Sequence, residues 1–215
     1  IKLMKREKIY VLIACEISQV EMTAFRSRGC IAYSCDIQLI RGDGDIRYHI
    51  PGDATPYLQG CHTFYTQDAK FHKVPRWDLI IAHPPCTYLC RVSAVQMVKN
   101  GHVDPERYQK MLEAKAFFDI CLNAKATFVA VENPLPMKRA GLPKPSCFVD
   151  PSWFGVKYTK KTLYWLKNLP PIMPKIINPD AVEFVRRSRG KYRSRSFREV
   201  AEAMAEQWIE YIKNF

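Results

Sequence analysis

Four short runs limit what this chain can become: "IYVLIAC" (9–15), "CIAYSCD" (30–36), "WDLIIAH" (77–83) and "ATFVAVEN" (126–133). The first is continuously apolar and rich in β-branched residues, the pattern of a strand buried on both faces of a parallel sheet. The second ends at Asp36, the last at Glu132, and every run closes on polar residues. Helical patterns fall between the runs. Residues 20–28 turn Val20, Ala24 and Phe25 toward a core and stop at Gly29. Asp104-Pro105-Glu106 reads as an N-cap followed by proline at the first helical position, with Tyr108, Met111, Leu112, Phe118 and Leu122 as the buried stripe. Near the end, Ser196-Phe197-Arg198-Glu199 matches a capping box, and Val200, Met204, Trp208, Tyr211 and Ile212 share one helix face.

This alternation predicts an α/β fold: an open, mostly parallel, Rossmann-like sheet with helices on both faces and right-handed crossovers. Ligands in such sheets bind at the carboxyl ends of the strands. From Pro134 to Pro179 prolines become frequent and helical periodicity vanishes, predicting loops with a short strand around residues 159–166. The chain thus divides into residues 1–133 with 190–215 as the main domain, and 134–189 as a small, basic, proline-rich, loop-rich appendage.

A length of 215 residues with 47% hydrophobic content suffices for one substantial core. The net charge is +12, and it is unevenly placed. Residues 157–198 carry twelve Lys or Arg against Asp180 and Glu183, so this stretch supplies +10 of the total. Tyr158, Tyr164, Trp165 and Tyr192 interleave with those bases. That mixture suits phosphate neutralisation with stacking, so nucleic acid is the expected partner, a plain solvated face being the alternative. No apolar run approaches about twenty residues, so no membrane partner is expected. The eight cysteines include no C-x-x-C pair, and no metal is expected. Charged Lys2, Lys5, Arg6, Glu7 and Lys8 do not read as a signal peptide, which points to a reducing cytoplasm. A monomer is the expected state.

"IIAHPPCTYLC" (80–90) runs a strand into two prolines and a cysteine. Such a cysteine can be a packing residue. Two features point to chemistry instead: the prolines fix the backbone where the sheet edge opens, and a second strand end brings Glu132 about 46 residues later.

"PPC" (84–86) after a strand, followed by "VENP" (131–134), resembles the proline-cysteine and glutamate-asparagine motifs of DNA (cytosine-5) methyltransferases. The phrases "ACE", "AHPPCTYL", "AVENP", "LKNLPP" and "AMAEQW", spread over nearly the full length, are similar to small phage-borne proteins of that superfamily. The resemblance implies a methyltransferase sheet, DNA as substrate and S-adenosylmethionine as donor, in a host cytoplasm. Cytosine C5 is a poor nucleophile, so a Cys86 thiolate would first add to C6 and turn the ring into an enamine. Glu132 would neutralise the density at N3 and receive the exocyclic amine. Arg193 and Arg195 of "YRSRS" would hold the base O2. The base must be flipped out or single-stranded. On the donor side the resemblance implies Cys15, Glu16, Ile17 and Ser18 of the first loop, Asp36 at the ribose with Ile37, Asp53 near the adenine amine with Ala54, and Pro84. On the substrate side it implies Pro85, Thr87 and Asn133, with Tyr164 or Trp165 stacking on a base.

Two departures matter. "ACEISQVE" lacks the glycine-rich turn usual after the first strand, which leaves open a modified S-adenosyl donor or none. Only about 60 residues separate Glu132 from Arg193, too few for a large target-recognition domain, so a short sequence readout is expected. The alternatives are methylation of cytosine N4 or adenine N6, for which His83-Pro84-Pro85 fits but Cys86 takes an aromatic place, transfer of a larger group, or an idle nucleic-acid-binding module. His83 itself reads as a hydrogen-bonded structural or substrate-contact residue. Cys90 reads as a small buried one, with a resolving thiol as the alternative.

Overall fold

Seven strands build one sheet in the computed structural model, which describes residues 8–183 and 196–215. They are β1 (Tyr10–Ala14), β2 (Ile31–Asp36), β3 (His49–Pro51), β4 (Leu79–Ala82), β5 (Phe128–Asn133), β6 (Cys147–Val149) and β7 (Thr162–Lys167). Their order across the sheet is β6-β7-β5-β4-β1-β2-β3. Every neighbouring pair is parallel except those of β7, which runs antiparallel to both β5 and β6. The protein is therefore α/β with an open, mixed, mostly parallel sheet.

Side chains alternate across each strand, so a continuous apolar run feeds two cores at once. Val11, Ile13, Leu79, Ile81, Phe128 and Ala130 face α1 (Val20–Ser27) and α3 (Arg198–Asn214), packing with Phe25, Met204 and Trp208. Leu12, Ala14, Ile80, Ala82, Val129 and Val131 face the other way, toward Met111, Phe118 and Cys121 of α2 (Pro105–Leu122). Each large apolar side chain taken fully out of water contributes about 1.5–3 kcal/mol, which explains why the central strands carry almost nothing polar. Helices thus cover both faces.

The expected starts of α1 and α2 agree with the structure to the residue: α1 begins at Val20, and Asp104 caps α2 by accepting from the N–H groups of Glu106 and Arg107. The buried stripe of α2 needs correcting. Its seam runs through Met111, Phe118 and Cys121, whereas Tyr108 and Leu112 are exposed. Leu112 lies about 100° around the helix from Met111 and so leaves the seam. The capping box at α3 is also absent. Phe197 occupies the N-cap without a side-chain bond, and the Ser196 hydroxyl donates to Glu21 on α1 instead.

The proline-rich stretch does more than loop. It supplies β6 and β7 to the main sheet, and β7 is six residues long with Leu163, Tyr164 and Trp165 buried. Its prolines flank these strands rather than interrupt them, so the ladder loses no donor. No helix among the described residues is long and apolar enough to cross a membrane.

Candidate active site

After β3 the chain returns to place β4 on the opposite side of β1. The strand order reverses there, and in open α/β sheets the crevice outside the carboxyl ends at such a switch point receives the ligand. Cys15 and Glu16 after β1, Asp36 ending β2, His83 after β4 and Glu132, the penultimate residue of β5, all lie at this edge.

The segment from His83 to Cys90 is tied to the segment after β5. The Asn133 amide donates to the Pro84 carbonyl at 2.9 Å, while Arg91 N–H donates to the Leu135 carbonyl (2.7 Å) and Met137 N–H to that of Leu89 (2.8 Å). These straps hold the Cys86 turn beside the strand end bearing Glu132. The Cys86 carbonyl accepts from both Leu89 and Cys90 N–H at 3.0 Å, a tight turn that brings the Cys86 and Cys90 side chains together. Pro85 and Thr87 are exposed on either side of the half-buried Cys86. Asn133 is fully buried, and its Oδ1 has no hydrogen-bond partner.

Cys90 Sγ lies 3.5 Å from the Ser93 hydroxyl, and the Cys86 and Cys90 thiols shift each other's proton affinity. The Cys86 thiol, aided by the Ser93 hydroxyl and the N–H groups of Ser93 and Val92, pulls Cys90 down to about 5 against the effect of burial. The Cys90 partner, burial and the Glu132 charge push Cys86 up. Cys90 is thus the thiol favoured to ionise and Cys86 the one held protonated. Cys90 is half-buried and is more than a space-filling residue.

His83 lies between two carboxylates. Its Nδ1 is 3.1 Å from Glu132 Oε2 and its Nε2 2.8 Å from Glu21 Oε2. Burial alone would lower its proton affinity, but Glu21 and Glu132 outweigh it and hold the imidazole well above its usual range. The expectation of a hydrogen-bonded histidine agrees with this geometry. Glu21 was not foreseen: it sits in α1, 2% exposed, and its only trace in the sequence is a charge among the apolar positions of a helix that packs on the sheet.

The first loop makes a glycine-like turn without glycine. Cys15 (φ 61°) and Gln19 (φ 55°) both take left-handed conformations. Gln19 is held by its side chain, which bonds Asp45 N–H (2.7 Å), the Asp45 carbonyl (3.0 Å) and the Ser34 hydroxyl (3.1 Å). Glu16 does not open toward a donor. Its carboxylate accepts from Glu21 N–H (2.8 Å) and Met22 N–H (3.3 Å), covering the start of α1, where unpaired N–H groups attract an anion. Burial and the Glu21 charge push it up to about 7. Ile17 and Ser18 beside it are exposed, and Ser18 donates to Glu16.

Asp36 accepts from Gln38 N–H, and Asp53 accepts from the N–H and hydroxyl of Thr55, the turn role open to a Gly-Asp pair. Ala54 is buried, whereas Ile37 is 80% exposed at the crevice. Burial, then the charges of Asp36 and Asp53, push the Cys15 thiol up to about 12, so it stays protonated beside the two carboxylates. Asp36 and Asp53 thus bring two carboxylates to this edge, with Ile17 and Ile37 exposed beside them, while Glu16 is engaged with the start of α1.

Tyr164 and Trp165 are not stacking platforms. Trp165 is 5% exposed, sits edge-on to Phe118 at 5.0 Å and donates to the Pro143 carbonyl; Tyr164 is 4% exposed and reaches Met204. Because β7 lies between two strands with cores on both faces, neither ring has a free face for a base. Arg193 and Arg195 lie outside the described residues. No protein-family model matches the chain, and no curated protein matches it significantly.

Proposed function

We propose that this protein is a DNA cytosine-C5 methyltransferase in which Cys86 is the nucleophile. The observation that carries the reading is the pairing of Cys86 and Glu132 at the ends of adjacent parallel strands, strapped together through Asn133 and Pro84. The switch point beside them, with one reversed strand at the far side of the sheet, supports a Rossmann-like methyltransferase architecture. Cys86 gives its proton to the neighbouring Cys90 sulfur as it adds to C6 of the base. Glu132 then meets N3 and the exocyclic amine, Pro85 and Thr87 line the rim, and the basic stretch 157–198 grips phosphate. Asp36 holds the donor's ribose and Asp53 its adenine amine; S-adenosylmethionine bound there supplies an electrophilic methyl group.

The test is to incubate protein, DNA and S-adenosylmethionine, digest to nucleosides and weigh the products, with Cys86→Ser in parallel. C5-methylcytosine from wild type and none from the variant is the expected result. Full transfer by Cys86→Ser, or methyl groups found only on N4 or N6, overturns it. A cytosine heavier than methylcytosine in DNA from cells making the protein would assign a modified S-adenosyl donor. The covered start of α1 favours a second reading, a nucleic-acid-binding module that uses no donor. Saturable binding of S-adenosylmethionine by calorimetry decides against that reading.

A further inference from the structure

Three acid–base side chains from three separate elements meet at the crevice. Glu21 comes from α1, His83 from the turn after β4 and Glu132 from β5, with His83 between the carboxylates at 2.8 and 3.1 Å. The side chains are only 2%, 15% and 20% exposed, respectively, so water does little to screen them. A neutral imidazole has one N–H and would turn a lone pair toward one of the two carboxylates; an imidazolium has two N–H groups and satisfies both. The second Glu21 oxygen is also engaged, accepting from the Ser196 hydroxyl at 3.2 Å. Glu132 uses only Oε2 toward His83, which leaves Oε1 for a base.

We propose that His83 is a positioning residue that orients Glu132 and delivers to it the proton that N3 of the base acquires, with Glu21 holding the imidazole in place. The proposal rests on the cytosine reading above. As the Cys86 sulfur bonds to C6, negative charge accumulates at N3. The proton on His83 Nδ1 passes to Glu132 Oε2, and the neutral carboxyl turns about its Cγ–Cδ bond to hand that same proton to N3. One proton moves in each step, Glu132 ends as it began, and His83 is left neutral with Nε2–H still donating to Glu21. The reverse transfer restores the pair when the base is released. The titratable groups around His83 are Glu21 on α1, Glu132 on β5 and Glu16 after β1, with Tyr164 on β7 beside both Glu21 and Glu132. Glu16 and Tyr164 make no hydrogen bond to the imidazole, so Glu21 and Glu132 are its direct partners.

The test has two arms on the full chain. Imidazole NMR on the ligand-free protein follows His83 titration in wild type, Glu21→Gln and Glu132→Gln, with His83→Gln assigning the signal. Wild-type His83 should remain doubly protonated well above the ordinary histidine range, and each glutamine variant should move its titration back toward that range. The second arm is the pH dependence of methyl transfer. kcat should fall on the alkaline side with the His83 titration, Glu21→Gln should move that limb to lower pH, and His83→Gln should lower kcat about 10²-fold with little change in KM. Circular dichroism confirms that each variant is folded, and Glu21→Gln, which keeps the side-chain shape, decides the matter if His83→Gln does not fold. An ordinary His83 titration indifferent to Glu21→Gln, or an unchanged pH profile in that variant, overturns the proposal. A wild type that transfers no methyl group overturns the cytosine reading, and proton delivery with it, while the NMR arm still decides whether the imidazole couples the two carboxylates.

Discussion

At the scale of single residues, the Cys86–Cys90 pair makes the sharpest demand. Cys90 is shifted down and Cys86 up, so brief iodoacetamide treatment near pH 6 should alkylate Cys90 ahead of Cys86, as read by peptide mass spectrometry. Cys90→Ser should remove the proton acceptor and lower methyl transfer about 10²-fold without abolishing it, whereas Cys86→Ser abolishes it. Preferential alkylation of Cys86 at that pH would show the two shifts to be assigned the wrong way round. Asn133 carries a structural demand instead. Asn133→Ala strips the donor from the buried Pro84 carbonyl and should lower stability by about 1–3 kcal/mol in urea unfolding, loosening the Cys86 turn as it does so.

Among the elements, α1 depends most on one side chain outside it. Glu16 covers its first N–H groups, and the folded protein holds that carboxyl near 7, above its ordinary 4.5. A carboxyl raised on folding binds its proton more tightly in the native state. Its stabilising contribution is complete below about pH 4.5 and is lost as pH rises through about 7. His83, also raised, works in the same sense: its contribution is complete below the ordinary histidine range and is lost as pH climbs through the higher folded value. The urea midpoint of the wild type should therefore fall between pH 5 and 8, on the order of 2 kcal/mol for Glu16. Glu16→Gln, which keeps one of the two cap acceptors and cannot ionise, should flatten that fall. An equal slope in both proteins would remove Glu16 from the account.

For the molecule as a whole, charge placement governs what it meets. With +10 of its +12 in residues 157–198, DNA binding should be dominated by counterion release. Anisotropy of a short labelled duplex should show affinity falling about 10³-fold between about 50 and 200 mM salt if some six phosphates are neutralised. Lys157→Glu with Lys161→Glu, both exposed, should lower the slope by about two. Salt-independent binding, or none, would exclude DNA as the partner.

Much of this was legible before any coordinates. The continuous apolar runs specified strands with two buried faces, Asp104-Pro105 specified where α2 starts, and PPC and VENP marked the two loops that the structure straps together. These signals are local: burial on both sides, a cap and a fixed proline backbone are properties of a few consecutive residues. What the tertiary structure alone decided was set by partners far away in the chain. Tyr164 and Trp165 sit in a stretch that looks like a basic, aromatic, loop-rich surface, yet β7 pairs with β5 and β6 and buries them. Ser196 has the pattern of a cap but bonds Glu21, 175 residues away. Glu21 reaches His83 across 62 residues, and no motif could announce it, because the glutamate has meaning only once α1, packed on β1 and β2, brings it to the turn after β4. The sequence by itself determined the local backbone and which side of each element is apolar; the tertiary structure decided which polar groups meet, because a buried charge finds its lowest free energy only with the partners that packing brings to it.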